Sequence, residues 1–138
     1  MKYVMSSLVA IGLLATTATA TAEVDGKKLM KQACFSCHNF DDAPRVKTGP
    51  NLFGVAGSKA GTQANFKRGT KTAYSKGMQK IAETGLVWTD ENLKAYLADP
   101  KGFLQEKSGD PAARSAMVIP KLTDEQITAI VEELKTFK

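Results

Sequence analysis

Histidine, cysteine and tryptophan are scarce in this sequence, which has one, two and one of them among 138 residues. Two cysteines cannot supply the several disulfides with which small secreted domains often stabilise a limited core. Long apolar runs are also missing. A membrane-spanning helix requires about 20 apolar residues, and beyond the N-terminus no segment approaches that length. The balance of 43% hydrophobic and 24% charged residues excludes a disordered chain, and the length excludes a multidomain enzyme. Together they indicate one small globular domain.

Residues 1–22 have the composition of a secretory signal peptide. Lys2 precedes an apolar run over residues 3–15, and small residues with two A-x-A-like cleavage sites follow as far as Ala22. Cleavage after Ala22 is therefore predicted, and residues 23–138 form the exported domain. The alternative is a retained N-terminal anchor, although the apolar run is short for a membrane span. Removal of the signal peptide takes away one basic residue and no acidic one, so the exported domain remains basic.

Both cysteines and the only histidine fall in one five-residue motif. Cys34 and Cys37 are followed directly by His38, which is the C-x-x-C-H pattern of covalent c-type haem attachment. In a helical segment, positions i, i+3 and i+4 share one face, so two thiols can reach the two vinyl groups of one porphyrin while the imidazole stands beneath its iron. The motif therefore predicts one haem c that is bound through Cys34 and Cys37 and ligated by His38.

Three other uses of the cysteines compete with haem attachment. A thioredoxin-like C-x-x-C pair needs a surrounding βαβ pattern, which the sequence lacks. A structural zinc site needs four Cys or His ligands, and the chain has only three such residues. A disulfide between Cys34 and Cys37 would close too short a loop to stabilise a domain much. Haem attachment is the preferred interpretation because the motif also lies near the start of an exported chain.

A second histidine ligand to the iron is impossible within this chain, because His38 is the only histidine. Methionine is the partner of histidine in electron-transfer cytochromes. Met30 lies on the predicted attachment helix, on the wrong side of the ring, and Met78 lies at helical spacing from apolar neighbours, which indicates core packing. Met117 belongs to a non-periodic stretch over residues 114–120. We predict that a loop there carries Met117 to the iron.

Three helices have strong signals and a fourth has a weaker one. The first covers about residues 25–37, and the second begins at Thr89 and stops at Pro100. The third begins at Thr123, where Gln126 three positions later completes a capping box. The weaker helix covers about residues 72–84. The apolar face of the third helix follows the spacing i, i+3, i+4 and i+7: Ile127, Ile130, Val131 and Leu134.

No alternating strand pattern of useful length is present, so the predicted fold class is all-α. Two long segments, residues 39–71 and 101–122, are predicted to be irregular, and such lengths are unusual inside a compact domain. A large apolar cofactor accounts for them, because loops can pack around a haem and share its buried surface. We therefore expect the cofactor-free chain to be largely unfolded. The glycines of the first segment are interpreted as loop residues, since no preceding strand or following Gly-Lys-Ser supports a phosphate-binding loop.

The whole pattern resembles a class I c-type cytochrome, and the resemblance covers essentially all of residues 23–138. The segment KTGPNL at residues 47–52 is similar to a family loop in which a proline carbonyl, here that of Pro50, accepts a hydrogen bond from the proximal imidazole. The segment VWTDENLKAYLADP at residues 87–100 resembles the family's third helix, and residues 117–134 resemble its methionine loop and closing helix. The stretch between the last two segments, from Pro100 to Met117, resembles in length that of the large bacterial periplasmic subgroup often called c-two.

This resemblance implies a class I cytochrome c fold, with several helices and long loops wrapped around one covalently bound haem. It places Trp88 at a haem propionate and matches Tyr74 to a tyrosine that bonds a propionate. It also implies that Tyr96 and Leu97 lie against the ring near the methionine ligand.

The sequence departs from the family pattern at two positions. Ser58 stands where many members have an arginine close to a propionate, which alters the expected propionate environment. Glu133 stands where an aromatic residue of the last helix packs on the first helix. A looser contact between the terminal helices is therefore expected.

The resemblance further implies a soluble, monomeric one-electron carrier of the periplasm, whose iron keeps both axial ligands while it cycles between ferric and ferrous. Its expected partners are membrane electron-transfer complexes: a quinol-oxidising cytochrome bc complex, a terminal oxidase or a photosynthetic reaction centre. Residues 59–80 contain six basic residues and no acidic one, which favours steering toward acidic docking surfaces. The alternative for this basic stretch is a solvated face that maintains solubility. Nucleic acid is not an expected partner of an exported protein.

Two other functions stay open from the sequence. One is a haem-based enzyme or gas sensor with a labile sixth ligand, which would bind added carbon monoxide quickly. The other is a tethered subunit of a larger complex, which a retained N-terminal anchor would support. The carrier is the preferred interpretation, and no catalytic residues are assigned.

Overall fold

The computed structural model describes residues 23–138. Its helices are α1 (Gly26–Ala33), α2 (Lys76–Glu83), α3 (Asp90–Ala98), α4 (Pro100–Ser108) and α5 (Asp124–Leu134). Two short antiparallel strands form a hairpin, β1 (Lys67–Arg68) and β2 (Lys71–Thr72). Helices thus dominate the ordered elements, as the predicted all-α class requires. Within residues 23–138, no helix has the length and apolar character needed to cross a membrane. The predicted signal peptide lies outside the described residues.

Every helix begins after a side chain whose oxygen accepts a hydrogen bond from a free backbone N–H of the first turn. These capping residues are Asp25, Ser75, Thr89, Asp99 and Thr123. The predicted capping box is complete, because Gln126 N donates to Thr123 Oγ1 and Thr123 N donates to Gln126 Oε1 at 2.9 Å. The predicted helix starts at Thr89 and Thr123 are therefore confirmed.

The first helix is shorter than predicted. It ends at Ala33, and the next four residues continue as turns, so the prediction that it reaches Cys37 is wrong. The attachment motif nevertheless keeps helical geometry locally, because His38 N donates to Cys34 O at 3.0 Å across four positions. The weaker predicted helix is also shorter, since Ser75 caps α2.

Helix α4 begins at Pro100 and covers the first part of the segment 101–122 that the sequence predicts to be irregular, so that prediction is wrong there. Asp99 caps the helix, a proline opens it, and Gly109 ends it with a φ of +64°. A proline at the start and a glycine just past the end are a known helix signal. The periodic pattern is weak here, because Phe103 and Leu104 are its only buried residues.

The β1–β2 hairpin is a second element that the sequence prediction missed. Lys67 pairs with Thr72, and Arg68 pairs with Lys71. The turn between them places Gly69 at a φ of +63°, which glycine adopts without strain. All four strand residues are exposed. No alternation of apolar and polar residues therefore marks the strands.

The core is organised around α5 and α3. Helix α5 packs on α1 and α3, and α4 packs on α2 and α3. The four apolar residues predicted for α5 are all buried, which confirms its inward face. The largest completely buried side chains come from four of the helices: Met30, Ile81, Leu104, Ile130 and Val131.

The terminal helices α1 and α5 approach each other closely at Gly26. A Cβ built on Gly26 would lie 2.3 Å from Ala129 O and 3.3 Å from Glu133 Cβ. Only a glycine fits at this crossing, because real Cβ contacts are never that short. Helices α1 and α5 thus touch closely at this crossing, while the contact that is looser than in other family members, expected from Glu133, stays a prediction.

Aromatic rings also connect the end of the chain to the attachment motif. The Phe137 ring centroid lies 5.3 Å from that of Phe40, which stacks on Phe35 at 4.6 Å. Such pairs stabilise a fold beyond their buried area. A phenylalanine beyond α5 thus adds an aromatic contact between the C-terminal end and the start of the domain.

Candidate cofactor site

A cavity of about 720 Å³ lies between the attachment motif, the loop that follows it, α2, α3, α5 and the loop after α4. Cofactor pockets commonly have about 300–1,000 Å³ and mainly apolar walls. All nine residues predicted to bind the cofactor or its iron line this cavity: Cys34, Cys37, His38, Pro50, Tyr74, Trp88, Tyr96, Leu97 and Met117. The residues present therefore fit a haem.

His38 is buried and its ring is oriented by one strong hydrogen bond. Its Nδ1 lies 2.7 Å from Pro50 O, as the family resemblance implies. A carbonyl oxygen only accepts, so Nδ1 carries the proton and Nε2 keeps a free lone pair. Burial lowers the pKa of His38; the bond to Pro50 raises it and nearby Lys47 lowers it further. A neutral imidazole with Nε2 available is the form that ligates a metal.

Gly49 packs directly against the His38 ring. A Cβ on Gly49 would lie 2.4 Å from His38 Cε1 and 2.7 Å from its Nδ1. The Gly49 N–H also donates to Cys37 O at 2.8 Å, which ties the loop to the attachment motif. Any larger residue at this position would force the imidazole or the loop to move.

The two thiols differ in exposure and are not joined to each other. Cys34 is buried and Cys37 is exposed. Burial and the neighbouring Cys37 raise the pKa of Cys34 to about 11, so this thiol is protonated at neutral pH when no haem is attached. Within residues 23–138, no three Cys, His, Asp or Glu side chains cluster as metal ligands.

Asn51 is a buried polar centre that the sequence analysis did not identify as functional. Only 7% of Asn51 is exposed. Its Nδ2 donates to Asp41 O and Ala43 O at 2.8 and 2.9 Å, and its Oδ1 accepts from Phe53 N at 3.0 Å. The side chain is thus fully satisfied and connects two stretches of the loop after the attachment motif.

Gln63 was also missed, and it holds the backbone of Asn51. Gln63 Oε1 accepts from Asn51 N at 2.8 Å, and Gln63 Nε2 donates to Asn51 O at 2.7 Å. The two residues are twelve positions apart and no local pattern links them. Of the two residues, only Asn51 lies in the segment KTGPNL, which the family resemblance had marked.

Trp88 and Ser58 meet at the cavity wall through backbone pairing. Trp88 N donates to Ser58 O at 2.8 Å, and Ser58 Oγ donates to Val55 O at 2.8 Å. Ser58 thus lies in the cavity wall, and its hydroxyl is engaged by the backbone. Tyr74 packs edge-on against Phe66 at 4.8 Å. Burial raises the pKa of Tyr74, and a hydrogen bond with the backbone of Gln63 lowers it.

Tyr96 of α3 lies in an aromatic group with Trp88, which precedes α3, and Phe103 of α4. Its ring centroid is 5.1 Å from Trp88 and 5.6 Å from Phe103. Burial raises the pKa of Tyr96, and a hydrogen bond with Ser115 lowers it. Leu97, the next residue, is buried. This aromatic group connects one wall of the cavity to the segment that contains the predicted methionine ligand.

Among residues 23–138, two methionines line the cavity, Met78 and Met117. Met78 is a buried residue of α2 within the core, in agreement with its predicted packing role. Met117 is half-buried, and it exchanges hydrogen bonds with Ser115 Oγ at 3.0 and 3.1 Å through its backbone N–H and carbonyl. Met30 is completely buried in α1 and does not line the cavity.

The family model for cytochrome c matches residues 23–138. The chain belongs to the cytochrome c family. It is 40% identical over 136 residues to a cytochrome c2 of Rhodospirillum rubrum, which covers 94% of this chain and 96% of that protein. It is 38% identical over 127 residues to a cytochrome c2 of Cereibacter sphaeroides, with 85% and 83% covered.

Solved structures agree with this assignment. A cytochrome c2 from Rhodobacter sphaeroides has a TM-score of 0.72 and 34% identity, over 83% of this chain and 94% of that one. A ferricytochrome c2 from Rhodopseudomonas palustris has a TM-score of 0.69 and 36% identity, over 84% and 98%. The predicted class I fold and c2 subgroup are confirmed. The protein is a monohaem cytochrome c and an electron carrier, and Cys34 and Cys37 have the spacing for covalent haem c.

Residues 59–80 of this cytochrome contain basic residues and no acidic one. Six of them are exposed between positions 59 and 80: Lys59, Lys67, Arg68, Lys71, Lys76 and Lys80. Lys59 and Arg68 contribute to the cavity wall itself. Lys80 forms an ion pair with Asp110 at 2.6 Å. We call these six residues the basic stretch.

Proposed function

We propose that this cytochrome is a soluble periplasmic one-electron carrier whose axial ligands are His38 and Met117. When bound, the haem iron supplies the redox chemistry by alternating between ferric and ferrous states. The chain's own residues bury the cofactor, orient the proximal imidazole and keep one edge of the site near the surface. No residue is assigned to chemistry on a substrate.

The observation that carries this proposal is that His38 and Met117 line the same cavity, with Nδ1 of His38 engaged by Pro50 O. Met78 is the competing thioether. It is a poorer candidate because α2 holds it in the core, where only 9% of the residue is exposed. Met117 lies in a loop without helical or strand hydrogen bonds, so its side chain can adjust to an iron.

Visible spectra of the oxidised and reduced protein test the ligand assignment. Wild-type protein should show the weak red ferric band of methionine ligation, and Met117→Leu should lose it. Met78→Leu is the matched control, because it makes the same chemical change at the other cavity methionine and should keep the band. Loss of the band in Met78→Leu alone would overturn the assignment. A wild type without the band that binds carbon monoxide quickly would favour the enzyme or gas-sensor alternative.

The proposed partners are membrane electron-transfer complexes: a quinol-oxidising cytochrome bc complex as donor, and a terminal oxidase or photosynthetic reaction centre as acceptor. The basic stretch supports this proposal, because two of its exposed charges, Lys59 and Arg68, lie at the cavity wall, and charges of one sign accelerate docking to acidic surfaces. Docking should weaken as salt rises, since about 0.1 M salt screens charges beyond roughly 10 Å.

Association rates with such a complex can test this at low and high salt. Arg68→Gln removes a charge at the cavity wall and should slow association several-fold at low salt only. Lys31→Gln is the control, because Lys31 is an exposed residue of α1 that does not line the cavity. Rates that stay flat across salt would remove the electrostatic proposal.

Export is tested by mass spectrometry of the periplasmic protein. The mature chain should begin at Glu23, after cleavage behind Ala22. In gel filtration it should elute as a monomer. Recovery of the intact N-terminus in the membrane fraction would contradict it. That result would favour the tethered-subunit alternative.

A further inference from the structure

One amide group connects His38 to Gln63. The carbonyl oxygen of Pro50 lies 2.7 Å from His38 Nδ1, and the N–H of the same peptide unit, on Asn51, donates to Gln63 Oε1 at 2.8 Å. The two hydrogen bonds lie on opposite ends of one planar, conjugated group. A change in one bond is therefore transmitted to the other through the amide.

Gln63 is itself held firmly. Its Nε2 donates to Asn51 O at 2.7 Å, so both ends of the side-chain amide are engaged by the backbone of one residue. The Gln63 backbone carbonyl accepts from Phe66 N at 3.2 Å. Asn51 is almost completely buried, which limits the access of water to these bonds. Hydrogen bonds in such surroundings are electrostatically stronger than in water.

We propose that Gln63 is a positioning residue that strengthens electron donation by the proximal imidazole, acting through the Pro50–Asn51 amide. By accepting from Asn51 N, Gln63 draws electron density toward the carbonyl end, which makes Pro50 O a better acceptor. A better acceptor increases the basicity of His38, and a more basic ligand favours ferric iron. The proposal rests on ligation of the iron by His38, as given above.

The direction of the effect follows from this sequence of bonds. Loss of the Gln63 acceptor should weaken the bond from His38 Nδ1–H to Pro50 O and make the iron easier to reduce. Chains of hydrogen bonds strengthen one another by about 10–30% per bond. We therefore expect the ferric-to-ferrous ratio at a fixed ambient potential to fall about two- to fourfold, which is about 18–36 mV for a one-electron couple.

The test compares three variants of the haem-loaded protein. Gln63→Leu removes both hydrogen bonds between the Gln63 side chain and the backbone of Asn51. Gln63→Glu keeps an oxygen that can accept from Asn51 N in either protonation state. Gln79→Leu is the matched control, because Gln79 is also half-buried and donates to a backbone carbonyl, Tyr74 O, at 2.8 Å, but does not touch the Pro50–Asn51 amide.

Two quantities are measured, the reduction potential and the NMR shift of the His38 Nδ1 proton in the ferrous protein. Gln63→Leu should raise the potential and move this proton upfield, while Gln79→Leu should change neither. In Gln63→Glu the proton should stay or move downfield. Should Gln63→Leu fail to fold, an upfield shift in Gln63→Glu would overturn the proposal, and an unchanged or downfield shift would support it.

Two outcomes for Gln63→Leu would overturn the proposal. A raised potential with an unmoved Nδ1 proton would show a general polarity effect of the cavity wall. No change in either quantity, with lowered stability, would show that Gln63 only clamps the loop. Failure of the proposed Met117 ligation would be visible in the wild-type spectra and would leave the comparison of the Gln63 variants intact.

Discussion

The two sides of the cofactor cavity are held in different ways. The proximal segment, residues 34–52, is cross-linked by backbone bonds such as Gly49 N to Cys37 O and Leu52 N to Asn39 O, both 2.8 Å. The distal segment, residues 114–122, makes no backbone-to-backbone hydrogen bond within the described part of the chain. The proximal imidazole is therefore preorganised by the polypeptide, whereas the proposed distal ligand depends on side chains and on the cofactor.

This difference suits a carrier that must keep one ligand fixed and seat the other on a bound haem. On the proximal side, the short bond from His38 to Pro50 defines the ring orientation before any iron is present. On the distal side, Ser115 supplies the local anchor of Met117. Perturbations of the two sides should therefore differ in kind as well as in size.

Removal of the haem should have the largest effect. The double variant Cys34→Ser with Cys37→Ser cannot form the two thioether bonds, and acid extraction should then remove its haem. Without the cofactor, a cavity of about 720 Å³ stays unfilled, so α2, α3 and α5 lose the haem as a shared packing partner. Circular dichroism should show loss of most helical signal.

Ser36→Ala is the control for this experiment, because it changes the motif and leaves both thiols in place. It should retain haem after acid extraction and keep the native spectrum. A cooperative unfolding transition in the haem-free double variant would contradict the prediction. That result would show that both sides of the cavity are preorganised.

Gly49→Ala should have the next largest effect, because it attacks the proximal side directly. The new Cβ would lie 2.4 Å from His38 Cε1, so the ring or the loop must move. We expect a loss of about 3 kcal/mol in the free energy of unfolding, at the upper end of overpacking costs. Guanidinium unfolding of the haem-loaded protein measures it.

Gly85→Ala controls for the general cost of losing a glycine. Gly85 has a φ of +73° and open space around it, so its replacement should cost about 1 kcal/mol and leave the haem spectrum unchanged. Equal losses in both variants would show that the His38 ring is not held tightly by Gly49.

Ser115→Ala should loosen the distal side without affecting the proximal side. It removes the hydroxyl that bonds both the N–H and the carbonyl of Met117. Added imidazole should then bind the ferric protein about fivefold more tightly, which corresponds to about 1 kcal/mol for a lost hydrogen bond. Optical titration with imidazole measures this change.

Ser108→Ala is the matched control for the distal experiment. Ser108 also accepts a backbone hydrogen bond, from Asp110 N at 3.2 Å, but it lies at the end of α4. It should leave imidazole binding at the wild-type value. An equal increase in both variants would show that the distal segment is not specifically anchored by Ser115.

Asp110→Asn should have the smallest effect. The carboxylate binds Lys80 of α2 at 2.6 Å, just before the distal segment, and this partner lowers the pKa of Asp110. Because the folded pKa is below the unfolded one, the stabilisation is present above the unfolded value, near pH 4, and is lost as the pH falls through the folded value.

The urea midpoint of Asp110→Asn should therefore lie slightly below wild type at pH 7 and match it in strong acid. Asp42→Asn serves as the control, because Asp42 is exposed and has no ion pair among the described residues. A midpoint difference that persists in strong acid would show that the ion pair does not cause it.

Local signals predicted the helix starts well and the irregular regions less well. Thr123 and Gln126 are three positions apart, so their capping box could be read directly from the sequence. Helix α4 was missed because Phe103 and Leu104 alone give no periodic stripe, although the Asp-Pro start and Gly109 mark its ends. The β1–β2 hairpin was missed because its strands are exposed.

The same limit applies to the candidate site. Cys34, Cys37 and His38 were found because haem attachment requires them within five positions. Gln63 was missed because its partner is the backbone of Asn51, which carries no residue-specific signal. The placement of Trp88, Tyr74 and Tyr96 at the cavity wall was implied by family resemblance rather than by any local pattern.

The sequence by itself determined the haem attachment motif, the family and the capped helix starts, because each depends on side chains within a few positions of one another. Only the tertiary structure decided which methionines reach the cavity, how closely Gly26 approaches α5 and which side chain holds the amide behind His38. Those relations join backbone atoms that are distant along the chain. They come into being only when the helices pack.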